Sequence, residues 1–239
     1  MKNTYLLVHS AWLGAWQWEA VAKLLTNQGH TVLTPDLPGH GADTTPASEI
    51  GMEHYIDTLG QILLKQEHPV ILVGHSFNGI TISQIAELYP RRVQSLVYIA
   101  GFLLPNGASF LKAVQGVTHS KAVTHFSLSA DGTEAYVADS ELQNAFAHDI
   151  PASVFNAAKK YIVPEPAAPL QYELRLSDEN FGSIPKYYIE CTDDQALPID
   201  IQRAMYQNKV RKVYSLATSH TPNFSAPEEL ATILSKIEA

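Results

Sequence analysis

The sequence predicts an α/β protein: a mostly parallel sheet with helices on both faces. Three observations lead there. Short continuous apolar runs alternate with segments of helical periodicity over the first hundred residues, the alternation stops after Gly101, and it resumes near Lys186. Strands covered on both faces need continuous apolar runs, and strand–helix–strand crossovers make neighbouring strands parallel.

Tyr5-Leu-Leu-Val8 is the first such run. Trp18, Val21, Ala22 and Leu25 follow at helical spacing, with Gly29 placed to cap that helix. Thr31 to Thr34 is the next strand, ended by Pro35, and the loop Asp36 to Pro46 is rich in turn formers. Met52, Tyr55, Ile56 and Leu59 mark a second amphipathic helix. Val70 to Val73 is a third strand, Ile80 to Tyr89 a helix stopped by Pro90, and Val93 to Ala100 a fourth strand.

Residues 102–183 read as mixed helical and irregular segments, including the proline-rich Pro164 to Pro169. They are expected to form a cap inserted over the edge of a core made from residues 1–101 and 184–239. In the core's second part, Lys186 to Cys191 is a strand, Ile199 to Asn208 a helix and Val210 to Leu216 a strand. The last helix presents Leu230, Ile233, Leu234 and Ile237 on one face, with Ser225 and Glu228 spaced as a capping box.

Composition narrows the function. The 239 residues fit one large domain, and 46% hydrophobic residues suffice for a sizeable core. A net charge of -8 without any polybasic run argues against nucleic-acid and anionic-membrane partners. The single cysteine, Cys191, can form neither an internal disulfide nor a thiolate metal site, and reads as a small apolar residue in a buried strand. The apolar stretch Tyr5 to Val8 is too short for a signal peptide, and no run reaches membrane-spanning length. The expectation is a soluble, cytoplasmic chain.

The chemistry concentrates at Val70 to Gly79, VILVGHSFNG. An apolar strand runs into Gly74-His75-Ser76 and a helix starts at once, which is the setting of a nucleophile elbow. The sharp turn lifts the Ser76 hydroxyl above the sheet and leaves backbone N–H groups free at the helix start. The pattern G-x-S-x-G places glycine at 78, whereas this chain has Asn78, followed by Gly79. The larger Asn78 is expected to push the helix away or to turn its side chain outward, and to carry no function.

A nucleophilic serine needs a base, and the base an orienting acid. In the chain order Ser, acid, His, the acid falls just past Lys186 to Cys191, where Asp193 and Asp194 compete for the role. The base falls past the following strand, at His220. At the end of the first strand, His9-Ser10-Ala11-Trp12 is placed to give the second oxyanion donor. The Ala11 N–H would pair with that of Phe77, and His9 would brace the loop. Ser10, Trp12 and His75 are candidates for contact with substrate. Trp18 is expected only to pack a helix, and His30, His54, His68 and His119 read as surface or packing residues.

These segments resemble the α/β-hydrolases that include plant salicylate-binding methyl esterases, hydroxynitrile lyases and bacterial pyrethroid-hydrolase-like esterases. The resemblance spans nearly the whole chain and is anchored on residues 6–18 (LLVHSAWLGAWQW), 36–41 (DLPGHG), 73–79 (VGHSFNG) and 181–198 (FGSIPKYYIECTDDQALP). It implies an α/β-hydrolase fold with a helical cap, no metal, no cofactor and a possible homodimer, and it places the acid on Asp194. It also implies that lyases of this type carry threonine, glutamate and lysine where this chain has Ser10, His75 and Thr221. The lysine would stabilise departing cyanide, which Thr221 cannot do. The resulting expectation is an esterase acting on a small or medium hydrophobic ester, with a hydroxynitrile-type lyase or a non-catalytic ligand carrier as the alternatives.

Overall fold

The structure, a computed structural model, describes residues 2–237. β1 (Thr4–Val8) leads through a 3₁₀ turn to α1 (Glu19–Asn27), then β2 (Thr31–Leu33), α2 (Met52–Leu64), β3 (Val70–His75), α3 (Asn78–Leu88) and β4 (Val93–Ile99). The next stretch holds short elements: α4 (Phe110–Val114), α5 (Lys121–Thr124), β5 (Phe126–Leu128), β6 (Glu134–Val137), α6 (Leu142–Phe146), α7 (Ala152–Lys159), β7 (Glu165–Pro166) and α8 (Ala167–Gln171). β8 (Lys186–Cys191), α9 (Ile199–Tyr206), β9 (Lys212–Leu216), α10 (Pro222–Ser225) and α11 (Pro227–Ser235) complete the chain.

Six strands form one parallel sheet in the order β2-β1-β3-β4-β8-β9. Successive side chains point to opposite faces, so each strand feeds two cores. Tyr5, Leu7, Ile71, Val73, Val97 and Ile99 pack on one face with Trp18, Leu25, Leu230 and Leu234 from the flanking helices. Leu6, Val8, Leu72, Leu96 and Tyr98 face the other way, onto Tyr55, Leu59, Ile80 and Ile82 and onto Phe110 and Phe155 beyond the fourth strand. Gly29 follows α1 at φ +88°, the left-handed geometry that glycine adopts without steric cost.

The structure corrects two expectations. Residues 102–183 are not purely helical and irregular, because β5, β6 and β7 form a three-stranded antiparallel sheet. Those strands are two to four residues long, too short to display a period of two. The Ser225–Glu228 capping box does not form. Ser225 is the last residue of α10, and α11 starts at Pro227, whose missing N–H suits the first helical position. Among the described residues, no helix is long and apolar enough to cross a membrane.

Candidate active site

β3 and α3 meet in a turn with Ser76 at φ +56°, a conformation that non-glycine residues rarely hold without support. The support is backbone pairing. The Ser76 N–H donates to the Ile99 carbonyl (3.0 Å), and the Ser76 carbonyl accepts from Gly79 and Phe102 (3.0 Å each). A Cβ on Gly79 would lie 2.7 Å from the Phe102 nitrogen, and one on Gly74 2.7 Å from the Asn78 carbonyl oxygen. Gly79 therefore serves the close approach of the chain leaving β4.

Asn78 does not turn outward. It is buried, its Nδ2 donates to the His9 carbonyl at 2.6 Å, and its Oδ1 accepts from Thr81 Oγ1 at 2.5 Å. The amide ties the end of β1 to the elbow, which corrects the expectation of an outward-turned side chain. Nothing in the one-dimensional pattern points to that tie, because its acceptor is a main-chain oxygen sixty-nine positions away.

The β8 and β9 loops bring Asp194 and His220 together, with His220 Nδ1 2.6 Å from Asp194 Oδ2. Asp194 Oδ1 accepts from the N–H groups of Ala196 and Leu197 (2.8 Å each), and Oδ2 also accepts from Gln202 Nε2 (3.2 Å). Asp193 is exposed, and among the described residues its carboxylate accepts only from the neighbouring Thr192 hydroxyl. With Nδ1–H donated to Asp194, the other ring nitrogen of His220 is the acceptor, and that Nε2 is buried with no hydrogen-bond partner among the described residues.

Residues between α6 and α7 clamp both loops. His148 Nε2 donates to the Asp193 carbonyl (2.9 Å), and Asp149 accepts from the Ser219 N–H (2.7 Å) and hydroxyl (2.5 Å).

His75 lines neither of the two apolar cavities described below, which corrects its place among the substrate-contact candidates. It is wholly buried, donates from Nε2 to the His220 carbonyl (2.8 Å) and pairs through Nδ1 with Gln17 Nε2 (3.2 Å). Burial, helped by the neighbouring His220, holds its pKa well below the usual histidine value. It is a neutral strut under His220.

The first-strand loop is held from behind. His9 Nδ1 donates to the Ser10 carbonyl (2.8 Å) and Nε2 accepts from the Leu37 N–H (3.0 Å), so the ring is neutral and braces the loop. Burial and then the adjacent His40 push its pKa down to about 3. Trp12 sits at φ +64°, with its N–H donated to Glu165 Oε2 (2.9 Å) and its indole N–H to the Ala135 carbonyl (2.9 Å). The Ser10 hydroxyl is within reach of the Ala11 carbonyl (3.2 Å) and Gln17 Oε1 (3.3 Å).

Glu165 also accepts from Tyr55 (3.0 Å) and from His40 Nε2 (2.8 Å), while His40 Nδ1 donates to the Pro38 carbonyl (3.1 Å). Burial pulls the His40 pKa down, but the Glu165 carboxylate outweighs it and the net shift is upward. Sequence reasoning did not single out His40 or Glu165. The available signal was His40 within the turn-rich DLPGHG segment; Glu165, between prolines far along the chain, offered none.

Ser76 and His220 line one side of a cavity with about 450 Å³ of unfilled space, partly open to solvent. Its other walls are apolar, among them Phe102, Phe110, Ala122, Phe126 and Leu197. Trp12 and Phe146 separate it from a second apolar cavity, where Ser10, Ala11 and Thr221 form part of the lining.

The α/β hydrolase family pattern matches residues 5–233. The chain belongs to the α/β hydrolase family. Methylesterase 7 of Arabidopsis thaliana is 31% identical over 99% of this chain and 96% of its own length. A pyrethroid hydrolase of Sphingobium wenxiniae is 31% identical over 95% of this chain and 84% of its own. The crystal structure of a pyrethroid hydrolase from Sphingobium faniae superposes with a TM-score of 0.89 at 30% identity, covering 98% of this chain and 96% of that one. The chain spans 64% and 55% of the length of two chloroplastic Arabidopsis thaliana relatives that it matches at 34% and 32% identity.

Within this α/β hydrolase, the lysines of residues 102–183 stand away from the Ser76 cavity, whose lining includes none of them. Lys112 pairs with Glu173 (2.5 Å), Lys121 with Asn144 (2.6 Å) and Lys159 with Asp139 (2.6 Å), while Lys160 lies over the Tyr161 ring. Thr221, next to His220, donates its hydroxyl to the Phe146 carbonyl (2.8 Å). Among the described residues no cluster of His, Cys, Asp or Glu could hold a metal ion. Cys191 is buried, which raises its thiol pKa and makes it a poor nucleophile.

Proposed function

We propose that this α/β hydrolase is a carboxylic-ester hydrolase that works through an acyl-enzyme on Ser76. The Ser76 hydroxyl attacks the ester carbonyl carbon and its proton passes to His220 Nε2. The carbonyl oxygen becomes an oxyanion held by the N–H groups of Ala11 and Phe77. As the C–O bond breaks, His220 returns the proton to the departing alcohol. Water then attacks the acyl carbon, giving a proton to His220 that ends on Ser76 Oγ as the acid leaves. Asp194 fixes the imidazole tautomer and stabilises its cation.

The observation that carries this reading is His220 itself. Its Nδ1 is taken by a saturated carboxylate, and its buried Nε2 has no partner on the cavity that Ser76 shares. The esterase names of relatives at about a third identity support the same reaction class. The apolar walls favour a hydrophobic ester, and the absence of an ammonium from the cavity lining speaks against stabilising cyanide. Purified protein is expected to hydrolyse p-nitrophenyl acyl esters and to be labelled by a fluorophosphonate at Ser76. Tight ligand binding with no turnover and no label would make it a carrier instead.

A further inference from the structure

The second cavity has no part in the reaction as described, yet it shares Trp12 and Phe146 with the cavity that Ser76 and His220 line. Leu142, Ile150, Phe155, Ala158 and Ile162 give it a hydrocarbon wall. Its lining hydroxyls are engaged, Thr221 with the Phe146 carbonyl, and Ser10 toward the Ala11 carbonyl and Gln17. A chamber lined this way suits a hydrocarbon group, and it holds no charged side chain to pair with an ion.

Trp12 and Phe146 stand between the two chambers, 5.6 Å apart by ring centroids. The two are held differently. Trp12 is pinned through its main-chain N–H and its indole N–H. The Phe146 carbonyl is pinned by the Ser219 and Thr221 hydroxyls (3.0 and 2.8 Å), but its half-buried ring is held by packing alone, with no polar anchor. That ring also lies 5.5 Å from the His220 ring. In an ester hydrolase the group beside the base is the leaving oxygen, so the arm attached to that oxygen starts at Phe146.

We infer that the chamber behind Phe146 receives the alcohol arm of the ester, making Phe146 the residue that sets alcohol specificity. The acyl arm then lies against Phe102, Phe110 and Leu197 in the chamber that Ser76 lines. The substrate class is an ester of a long-chain or aryl alcohol. Each methylene moved from water into the chamber contributes about 0.8 kcal/mol. The inference rests on the ester-hydrolase reading for its chemistry, though not for the existence of the chamber.

The test compares kcat/KM for methyl acetate, octyl acetate and methyl octanoate. Wild-type protein is expected to favour octyl over methyl acetate by at least about thirtyfold, as roughly three buried methylenes would give. Ala158→Phe, which fills the far chamber, is expected to cut the octyl-to-methyl acetate ratio at least about tenfold, the cost of losing roughly two methylenes of burial. The methyl octanoate-to-methyl acetate ratio should hold, and its persistence shows that the variant is folded. An equal fall in both ratios, or a fall only in the acyl series, would overturn the assignment. If no ester is hydrolysed, the catalytic reading fails and the chamber is judged by binding alone. Octan-1-ol should then still quench tryptophan fluorescence in Ser76→Ala protein, and adding Ala158→Phe should weaken that binding. Unchanged binding would overturn the chamber itself.

Discussion

The chain buries two histidine–carboxylate pairs of nearly the same geometry, His220 with Asp194 at 2.6 Å and His40 with Glu165 at 2.8 Å. The difference lies on the far nitrogen of each ring. His40 gives its Nδ1–H to the Pro38 carbonyl, so both nitrogens face acceptors and the ring is an imidazolium locked in structure. His220 lines a cavity and leaves Nε2 without a partner among the described residues. A buried polar atom left unsatisfied costs on the order of 1–3 kcal/mol, and a fold tolerates that where the atom has work to do. The His40 pair is thus saturated within the fold, whereas His220 keeps a nitrogen free for the proton transfer proposed above.

The comparison breaks first at Ser76. Ser76→Ala should lower kcat by about three to six orders of magnitude with the fold intact, as circular dichroism would verify. A variant retaining more than about a tenth of the rate would remove the nucleophile from the His220 pair. Next, Asp194→Asn should cost up to roughly ten-thousandfold in kcat by favouring the wrong imidazole tautomer, while Asp193→Asn, out in water, should change little. Equal mild effects would mean that the 2.6 Å contact orients nothing.

Glu165→Gln sharpens the contrast from the other side. It strips the partner from a buried imidazolium, and urea unfolding should show a loss of about 3 kcal/mol. Activity of the folded fraction should fall much less than in Asp194→Asn. The opposite pattern, activity lost and stability kept, would make the second pair catalytic.

Smaller still is Asn78→Gly, which releases the His9 carbonyl. A lost buried hydrogen bond of about 1.5–3 kcal/mol corresponds to roughly tenfold to a hundredfold in kcat/KM if the first-strand loop loosens. A change under about twofold would show that the loop keeps its position without the amide.

A last prediction concerns stability against pH and needs no substitution. His9 and His75 are lowered in the folded state, so the unfolded chain takes up protons first as pH falls below 6.5, and stability drops. Each such histidine contributes about 1.4 kcal/mol per pH unit. His40 is raised and has the opposite sign: its contribution is complete below 6.5 and disappears as pH rises through its folded value. Between pH 6.5 and 4.5, above the range in which lowered carboxylates such as Glu87 and Glu190 lose their contribution, the urea midpoint should therefore decline. A flat or rising midpoint would mean that the two struts are not held neutral.

The comparison also shows what a sequence can and cannot display. Ser76, Asp194 and His220 were legible because each sits just past an apolar strand, and the end of a parallel strand is a place that periodicity can locate. β8 was read to the residue, since Lys186 to Cys191 is buried on both faces. His40 and Glu165 were not legible. Their meeting depends on a two-residue strand, β7, in a segment whose elements are too short to have a period. Asn78 was visible as an anomaly but misread, because the position held by glycine in the pattern invites a steric argument. The structure answers with a hydrogen bond. His75 was misplaced for a related reason: proximity to the serine in the chain suggested contact with substrate, whereas a strand's alternation sends adjacent residues to opposite sides.

The site draws its parts from distant points along the chain: Ala11 and Trp12 near the beginning, Ser76 after the third strand, Glu165 past the middle, and Asp194 and His220 beyond the last crossovers. During synthesis the first hundred residues can present a serine turn, but its acid and base have not yet left the ribosome. Ester turnover would thus report on finished topology, and two fragments divided at the exposed Asp131–Gly132 turn would be silent apart and active only on reassembly.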